Sequence, residues 1–281
     1  FISSTAVYAQ NNGQWVDVSM PVLQLNNRGF IYGDGLFESI RCSRGKANFL
    51  SLHVERLLAG IAVLNLKCDF ITEDFLHEII LECNQKNNFR TGSKLRLVIT
   101  RNSGGTYLPE QNNASLCLLP SAEVESEYIA TENFVEIGVY REQQKPINKL
   151  SGFKNCNSLL YVLASIYTQE MRLDDSLILN SKNKLCEATS SNVFWLKDNR
   201  VYTTSLSSGC VNGVMRRVII QITNATEQEI SIEQLVDVDE IFLTNTGSGI
   251  RSVNKMSGKV FRTDYGLELT DKLNKFIKEQ I

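Results

Sequence analysis

Only two histidines, His53 and His77, occur among the 281 residues, and the seven cysteines form no Cys-x-x-Cys pair. That poverty excludes a conventional zinc site and leaves no arguable Ser-His-Asp set. The cysteines (Cys42, Cys68, Cys83, Cys117, Cys156, Cys186 and Cys210) are odd in number, and most have apolar neighbours, as reduced, buried cysteines do. No uninterrupted apolar stretch approaches the roughly 20 residues that span a bilayer. The opening "FISSTAVYAQNNGQWV" has neither a basic region nor a continuous apolar core, so no signal peptide is expected there. A formal net charge of -2, with scattered lysines and arginines, offers no basic surface for nucleic acid or an anionic membrane. No G-x-G-x-x-G opens a helix, and the loop "RNSGG" lacks the Walker lysine. The expectation is a soluble, cytoplasmic protein without metal, whose partner is a small molecule.

What is present is an ordinary globular composition, 43% hydrophobic and 21% charged, in a chain long enough for one large domain or two smaller ones. Alternating segments at residues 5–9 and 14–18 predict a hairpin turning at 11–13. "LFESIRCSRGKANFL" predicts two strands around Arg44 and Gly45. Ser51 is then placed to cap a helix whose Leu52, Leu57, Leu58, Ile61 and Leu64 mark one apolar face. A second helix is expected over residues 72–86, with Glu73 and Asp74 in its first turn. "SKLRLVITR", "ASLCLLPS" and "NFVEIGVY" follow as strands, and the polar "REQQKPINKLSG" reads as a linker. Beyond it come an apolar helix, the short strands "DSLILN", "KLCEAT", "NVFWLKD", "RVYTT" and "EIFLTN", and a closing amphipathic helix. There is no internal repeat or low-complexity tract. The pattern is α+β with two domains: residues 1–140, a linker over 141–152, and residues 153–281.

Four places carry chemistry-bearing residues. Lys154 stands in "LSGFKNCNSLLYVLAS", ahead of a run (Leu159, Leu160, Val162, Leu163, Ile166, Tyr167) with no fully polar face, which predicts a largely buried helix. An amine desolvated there would lose proton affinity and suit Schiff-base chemistry; the stretch fits a lysine extending to solvent as well. "SLSSGCVNGVMRR" places Gly209 and Gly213 before a helix start, where free N–H groups can hold an anion. Thr246, in "TNTGSG", adds a hydroxyl, and Arg56 adds a cation on a helix that otherwise faces the core; taken alone, Arg56 is also a plausible surface arginine. Glu187, between apolar strands in "LCEATSSNVFW", must be exposed or paired with a cationic donor, for which a protonated pyridine nitrogen would serve. In "NNRGFIYGDGLFESIRCSRG", Tyr32, Phe37 and Glu38 project from a tight glycine turn around Asp34.

Together, in this order, these pieces resemble the fold-type IV pyridoxal-phosphate enzymes, the class IV aminotransferase family. The matching elements are "RGFIYGDGLFESIR", "HVERL", "FKNCNSLLYVLA", "CEATSSNVFWLKDNRVYT", "GCVNGVMRR" and "EIFLTNTGSGI", spanning residues 28–253. The resemblance implies a two-domain fold like that of the D-amino-acid aminotransferases, pyridoxal 5'-phosphate as cofactor, and a homodimer. It implies Lys154 as the Schiff-base lysine, in the K-x-x-N pattern with Asn157; Lys145 and Lys149 lack that spacing. Glu187 matches the glutamate facing the ring nitrogen. Arg56, the N–H groups of Val214 and Met215, and Thr246 match the phosphate cradle, and Val211 the residue against the ring. Tyr32, Phe37, Glu38, Arg101 and Gly247 match the substrate pocket.

The family holds three main activities. Branched-chain aminotransferases usually show a tyrosine shortly after the lysine, where this chain has Ser158 and Leu159. D-amino-acid aminotransferases trap the substrate carboxylate with an arginine and a histidine, and here only Arg101 is available. Aminodeoxychorismate lyases commonly show "RGSGG" and "VNGIMR", close to "RNSGG" and "VNGVMR" here, and an N-x-x-x-G-[IV] turn near the end, beside "NTGSGI" here. Glu38 points the other way, because glutamate is typical of the aminotransferases. The resemblance therefore implies 4-amino-4-deoxychorismate lyase, with branched-chain or D-amino-acid aminotransferase as the alternative. An inactive, cofactor-binding or interaction protein is the alternative of another class.

Overall fold

The computed structural model describes residues 7–130 and 135–280. Residues 5–6 of the expected hairpin and 133–134 of "NFVEIGVY" lie outside the described residues. The chain divides into two compact units, Phe1–Glu127 with Phe153–Asn157, and Tyr128–Gly152 with Ser158–Ile281. The division differs from the expected one because the strand starting at Val135 pairs only within the second unit.

In the first unit, β1 (Tyr8–Asn11), β2 (Gln14–Asp17), β3 (Gly35–Ser43), β4 (Lys46–Ala47), β5 (Gly92–Arg101) and β6 (Ala114–Val124) form one sheet in the order β2-β1-β6-β5-β3-β4. All neighbours are antiparallel. Helices α1 (Arg28–Tyr32), α2 (Leu50–Val63) and α3 (Glu73–Lys86) complete it. Alternation along β3 sends Leu36 and Ile40 into a core shared with Leu57 and Ile61 of α2. Thr72 caps α3 by accepting from the Phe75 N–H at 3.1 Å. Ser51 does not cap α2: the helix starts at Leu50, behind Phe49 in a left-handed conformation. Burial of Leu50 draws the start upstream, and Ser51 falls in the exposed first turn. The buried stripe of α2 is also rotated from the expected one, since Leu58 is exposed whereas His53 and Arg56 are buried.

The turn around Asp34 is the end of a short helix, α1, closed by Gly33 at φ +65°. A Cβ on Gly33 would lie 2.7 Å from the Asn157 amide oxygen. The Asp34 carboxylate accepts from Arg28 Nε and Arg101 Nε, both at 2.9 Å. Arg28 also donates to the Gly104 and Thr106 carbonyls, and thereby fastens the "RNSGGTY" loop to α1.

The second unit holds β7 (Val135–Lys145), β8 (Asp175–Asn180), β9 (Leu185–Ala188), β10 (Asn192–Lys197), β11 (Arg200–Thr204), β12 (Thr226–Gln228), β13 (Glu240–Asn245), β14 (Gly249–Met256) and β15 (Lys259–Val260). Their order is β12-β11-β10-β13-β14-β7-β8-β9, with β15 on β14. Every residue of β8 is buried, as in a strand covered on both faces. Helices α4 (Leu159–Glu170), α5 (Val214–Thr223), α6 (Ile232–Leu235) and α7 (Asp264–Gln280) accompany the sheet.

Two expectations are corrected here. The linker is in part strand, because β7 continues to Lys145, which pairs with Asn180. The apolar helix is not buried within the chain: α4 turns Ala164 and Thr168 inward and leaves Leu159, Val162, Leu163 and Ile166 exposed. Among the described residues, no helix is long and apolar enough to cross a membrane.

Candidate active site

Lys154 is not on α4. It lies upstream, in an extended piece held to β3 by Phe37 N–H donating to the Lys154 carbonyl at 2.8 Å and Cys156 N–H donating to the Gly35 carbonyl at 3.0 Å. The backbone of Lys154 is thus fixed by sheet-type pairing, a firmer placement than a helix approach would give. Its side chain is half-buried, and Nζ sits 4.5 Å from the centre of the Phe37 ring. Arg96 lies over the same ring at 4.9 Å. Phe37 is therefore a platform for two cations on the face of β3 opposite Leu36 and Ile40.

Glu38 falls on the core face of β3, between Leu36 and Ile40, and is buried. A carboxylate there requires partners. Arg56 supplies them through Nε at 2.8 Å and Nη2 at 2.5 Å, and His53 Nδ1 lies 2.7 Å away. Burial alone would raise the Glu38 pKa; the Arg56 charge and the His53 hydrogen bond outweigh it and hold the group at about 2. Burial also pushes His53 below its ordinary range, so a neutral imidazole donates from Nδ1 to the carboxylate. Arg56 is a buried, oriented cation and not a surface arginine. Glu38, expected to line a substrate pocket, is committed to holding it.

Arg101 is committed as well. Its guanidinium donates to Asp34 at 2.9 Å, to the Asn112 side chain at 2.5 Å and to the Leu64 carbonyl at 2.7 Å. Those three bonds give it a structural role at the end of β5 in place of the expected pocket role. Tyr32 closes α1, with Arg28 over its ring at 4.9 Å and Tyr107 at 5.7 Å between centroids.

In the second unit, Glu187 of β9 is 3% exposed. Lys145 Nζ donates to its Oε1 at 2.5 Å, the Tyr161 hydroxyl to the same oxygen at 2.7 Å, and the Val211 N–H to Oε2 at 2.8 Å. Sequence reasoning missed Lys145 and Tyr161. The available signal was the rule that a buried carboxylate needs a cation, and Lys145 was set aside on spacing alone.

The Val211 bond ties the carboxylate to the turn that opens α5. Gly213 precedes that helix without any side-chain cap, so the N–H groups of Val214 and Met215 have no partner within the helix. A Cβ on Gly213 would come 2.0 Å from Asn192 Oδ1, which requires glycine there. Asn192 also donates to the Val211 carbonyl at 2.9 Å, which bolts the turn to β10. Two residues, Asn212 and Gly213, separate Val211 from Val214, at most about 10 Å of chain. Thr246 and Gly247 stand in the β13–β14 turn, where the Tyr128 hydroxyl donates to the Thr246 carbonyl at 2.7 Å.

This arrangement suits a phosphorylated pyridine. A carboxylate offers roughly four acceptor positions, and the three donors on Glu187 leave room for a ring N–H. The uncapped start of α5, at most three residues further on, suits a phosphate.

The profile of the amino-transferase class IV family matches residues 35–256. The chain belongs to that family. It is 27% identical over 259 residues to the aminodeoxychorismate lyase of Vibrio harveyi, covering 89% of this chain and 93% of that one. It is 25% identical over 258 residues to the D-alanine aminotransferase of Staphylococcus haemolyticus, covering 88% of each. Its fold matches that of a branched-chain aminotransferase from Thermoproteus uzoniensis with a TM-score of 0.87, at 20% identity, over 98% of this chain and 97% of that one. Enzymes of the class IV aminotransferase family depend on pyridoxal phosphate.

The depressed Glu38 pKa generates a pH prediction. Its contribution to stability is complete above its ordinary value of 4.5 and is lost as pH falls toward 2. Stability against thermal unfolding should therefore fall between about pH 5 and pH 2, by ~3 kcal/mol from this group. Glu38→Gln should lower stability at pH 7 and flatten that acid slope; an unchanged slope would remove Glu38 from the account.

Proposed function

We propose that the protein is a 4-amino-4-deoxychorismate lyase, which releases pyruvate and forms 4-aminobenzoate. The observation that carries this reading over a D-amino-acid aminotransferase is the committed guanidinium of Arg101, bonded to Asp34, Asn112 and Leu64 and so not available as a carboxylate trap. Glu38, which pointed toward the aminotransferases, is buried against Arg56 and so says little about substrate. "RNSGG", "VNGVMR" and "NTGSGI" support the lyase as before. The second reading, a branched-chain aminotransferase, draws on the fold match and on 26% identity over 274 residues to a Methanocaldococcus jannaschii protein named "Putative branched-chain-amino-acid aminotransferase", covering 95% of this chain and 94% of that one; against it, Leu159 stands where that group usually has tyrosine.

When bound, pyridoxal phosphate supplies an electron sink for the bond-breaking at the substrate's amino-bearing carbon. In this proposal Lys154 would hold the cofactor through its amine, and the same amine would be the base for the proton on that carbon. Glu187 holds the ring nitrogen, and the Val214 and Met215 N–H groups, with Arg56 and Thr246, hold the phosphate. Val211 is assigned to the ring face, and Tyr32, Phe37 and Gly247 to the substrate side. A proton delivered to the departing enolpyruvyl group completes pyruvate as the product ring becomes aromatic. An aminotransferase would share the first proton transfer and differ only afterwards.

We assign Lys154 rather than Lys145 to the covalent role. Lys145 is bonded to the carboxylate that faces the nitrogen end of the ring, while the aldehyde lies at the opposite end. The reading includes a homodimer, supported by the exposed apolar side of α4 at Leu159, Val162, Leu163 and Ile166.

Three outcomes check these assignments. Lys154→Ala should bind the cofactor without the visible band of the lysine-linked form, and an intact band would end the assignment. Purified enzyme given aminodeoxychorismate should produce pyruvate; glutamate from L-leucine or D-alanine with 2-oxoglutarate, and no pyruvate, would replace lyase by aminotransferase. The mass in solution should be twice the 31.7 kDa of one chain, and a monomer at working concentration would remove the dimer.

A further inference from the structure

Lys145 is a buried lysine to which the family assignment gives no task. Its ammonium donates to Glu187 at 2.5 Å and to the Ser151 carbonyl at 3.1 Å, and lies 5.7 Å from the Tyr161 ring centre. β7 delivers it there by continuing past Tyr140 to pair Lys145 with Asn180. A structural cation would suffice to neutralise Glu187 if the carboxylate had nothing else to bind. Here the same carboxylate faces the ring nitrogen in the proposed function, so two cationic donors would share one anion.

We propose that Lys145 is a positioning residue that sets the proton affinity of the ring nitrogen: it holds the Glu187 carboxylate in place and, by sharing its charge, weakens its hold on the ring proton. The inference rests on the assignment of Glu187 to that nitrogen. Burial would depress the Lys145 pKa, but the Glu187 charge outweighs it and carries the lysine above its ordinary range, so the ammonium persists across the working pH. The other groups facing the carboxylate stay neutral. Burial and the Glu187 charge push up the Tyr161 phenol, and the same two causes push up the Cys186 and Cys210 thiols. Lys145 is thus the permanent charge that Glu187 meets before any ligand arrives.

Removing a unit charge that is bonded to the carboxylate assigned to the ring nitrogen should alter the proton affinity of that nitrogen about tenfold or more. The test is to load the full-length protein with pyridoxal phosphate carrying nitrogen-15 in the ring, and to follow the ring signal against pH. Lys145→Met should raise the titration midpoint by one pH unit or more, and Lys145→Arg should restore it toward wild type. An unchanged or lowered midpoint in Lys145→Met, with Glu187→Gln shifting the signal to the unprotonated position, overturns the role of Lys145 and leaves that of Glu187 standing. A signal that Glu187→Gln does not move overturns both. If Lys145→Met binds cofactor poorly, its melting temperature without cofactor decides. The deficit against wild type should shrink from pH 8 to pH 5, as the unpaired Glu187 takes up a proton. A deficit equal at both pH values would mean that Lys145 only packs, and would overturn the proposal.

Discussion

A carboxylate buried in an apolar sheet has to be neutralised, and most of the chemistry-bearing residues of this protein are placed by that one requirement. Glu187 lies on β9 with almost no access to water, and its three donors come from three different elements: Lys145 at the end of β7, Tyr161 in α4, and the Val211 N–H of the turn before α5. Satisfying one side chain therefore brings together a strand end, a helix face and a glycine turn. The uncapped start of α5 owes its position to that bond and to Asn192. In the first unit Glu38 does the same for α2, whose His53 and Arg56 must face the sheet because the glutamate does. Charged residues on a core face cost several kcal/mol when left unpaired, so such groups constrain the elements around them more sharply than any leucine.

The two lysines flanking the "PINKLSGF" stretch show how environment divides labour between identical side chains. Lys145 is locked to an anion, and its amine keeps its proton; a protonated amine is no nucleophile. Lys154 instead has its backbone fixed to β3 and its amine over the Phe37 ring, which Arg96 also approaches. The proposed covalent role of Lys154 accords with this difference, since its amine is not the one locked to Glu187.

The sequence shows those features that depend on local pattern. The segments "LFESIRCS", "SKLRLVITR" and "DSLILN" were legible as the strands β3, β5 and β8, and the helix expected over residues 72–86 is α3. The family was legible in six short elements taken together and in order over residues 28–253, where no single one of them would have sufficed. What stayed hidden depended on tertiary partners. "REQQK" is exposed for four residues before Lys145, so nothing in its polarity marks it as a strand that delivers a cation to the core. The apolar run of α4 reads as buried, but its inward side is built on Ala164 and Thr168, and hydrophobicity does not tell which side of a helix the chain itself covers. Ser51 has the chemistry of a cap, but the burial of Leu50 decided where α2 begins.

Pocket residues inferred by type are the most exposed to this error. Arg101 and Glu38 are both of kinds that could bind a substrate, one by trapping a carboxylate and the other by accepting a proton. Each is instead consumed by the fold: Arg101 by Asp34, Asn112 and Leu64, and Glu38 by Arg56 and His53. A charged side chain held by three buried bonds can turn to a substrate only by leaving some of its own partners unpaired, which is costly inside a fold. Phe37 and Tyr32 of the first unit differ from Arg101 and Glu38 in kind, since each presents a ring face to a cation. Aromatic faces sort ligands by shape and charge distribution more than by a single ion pair.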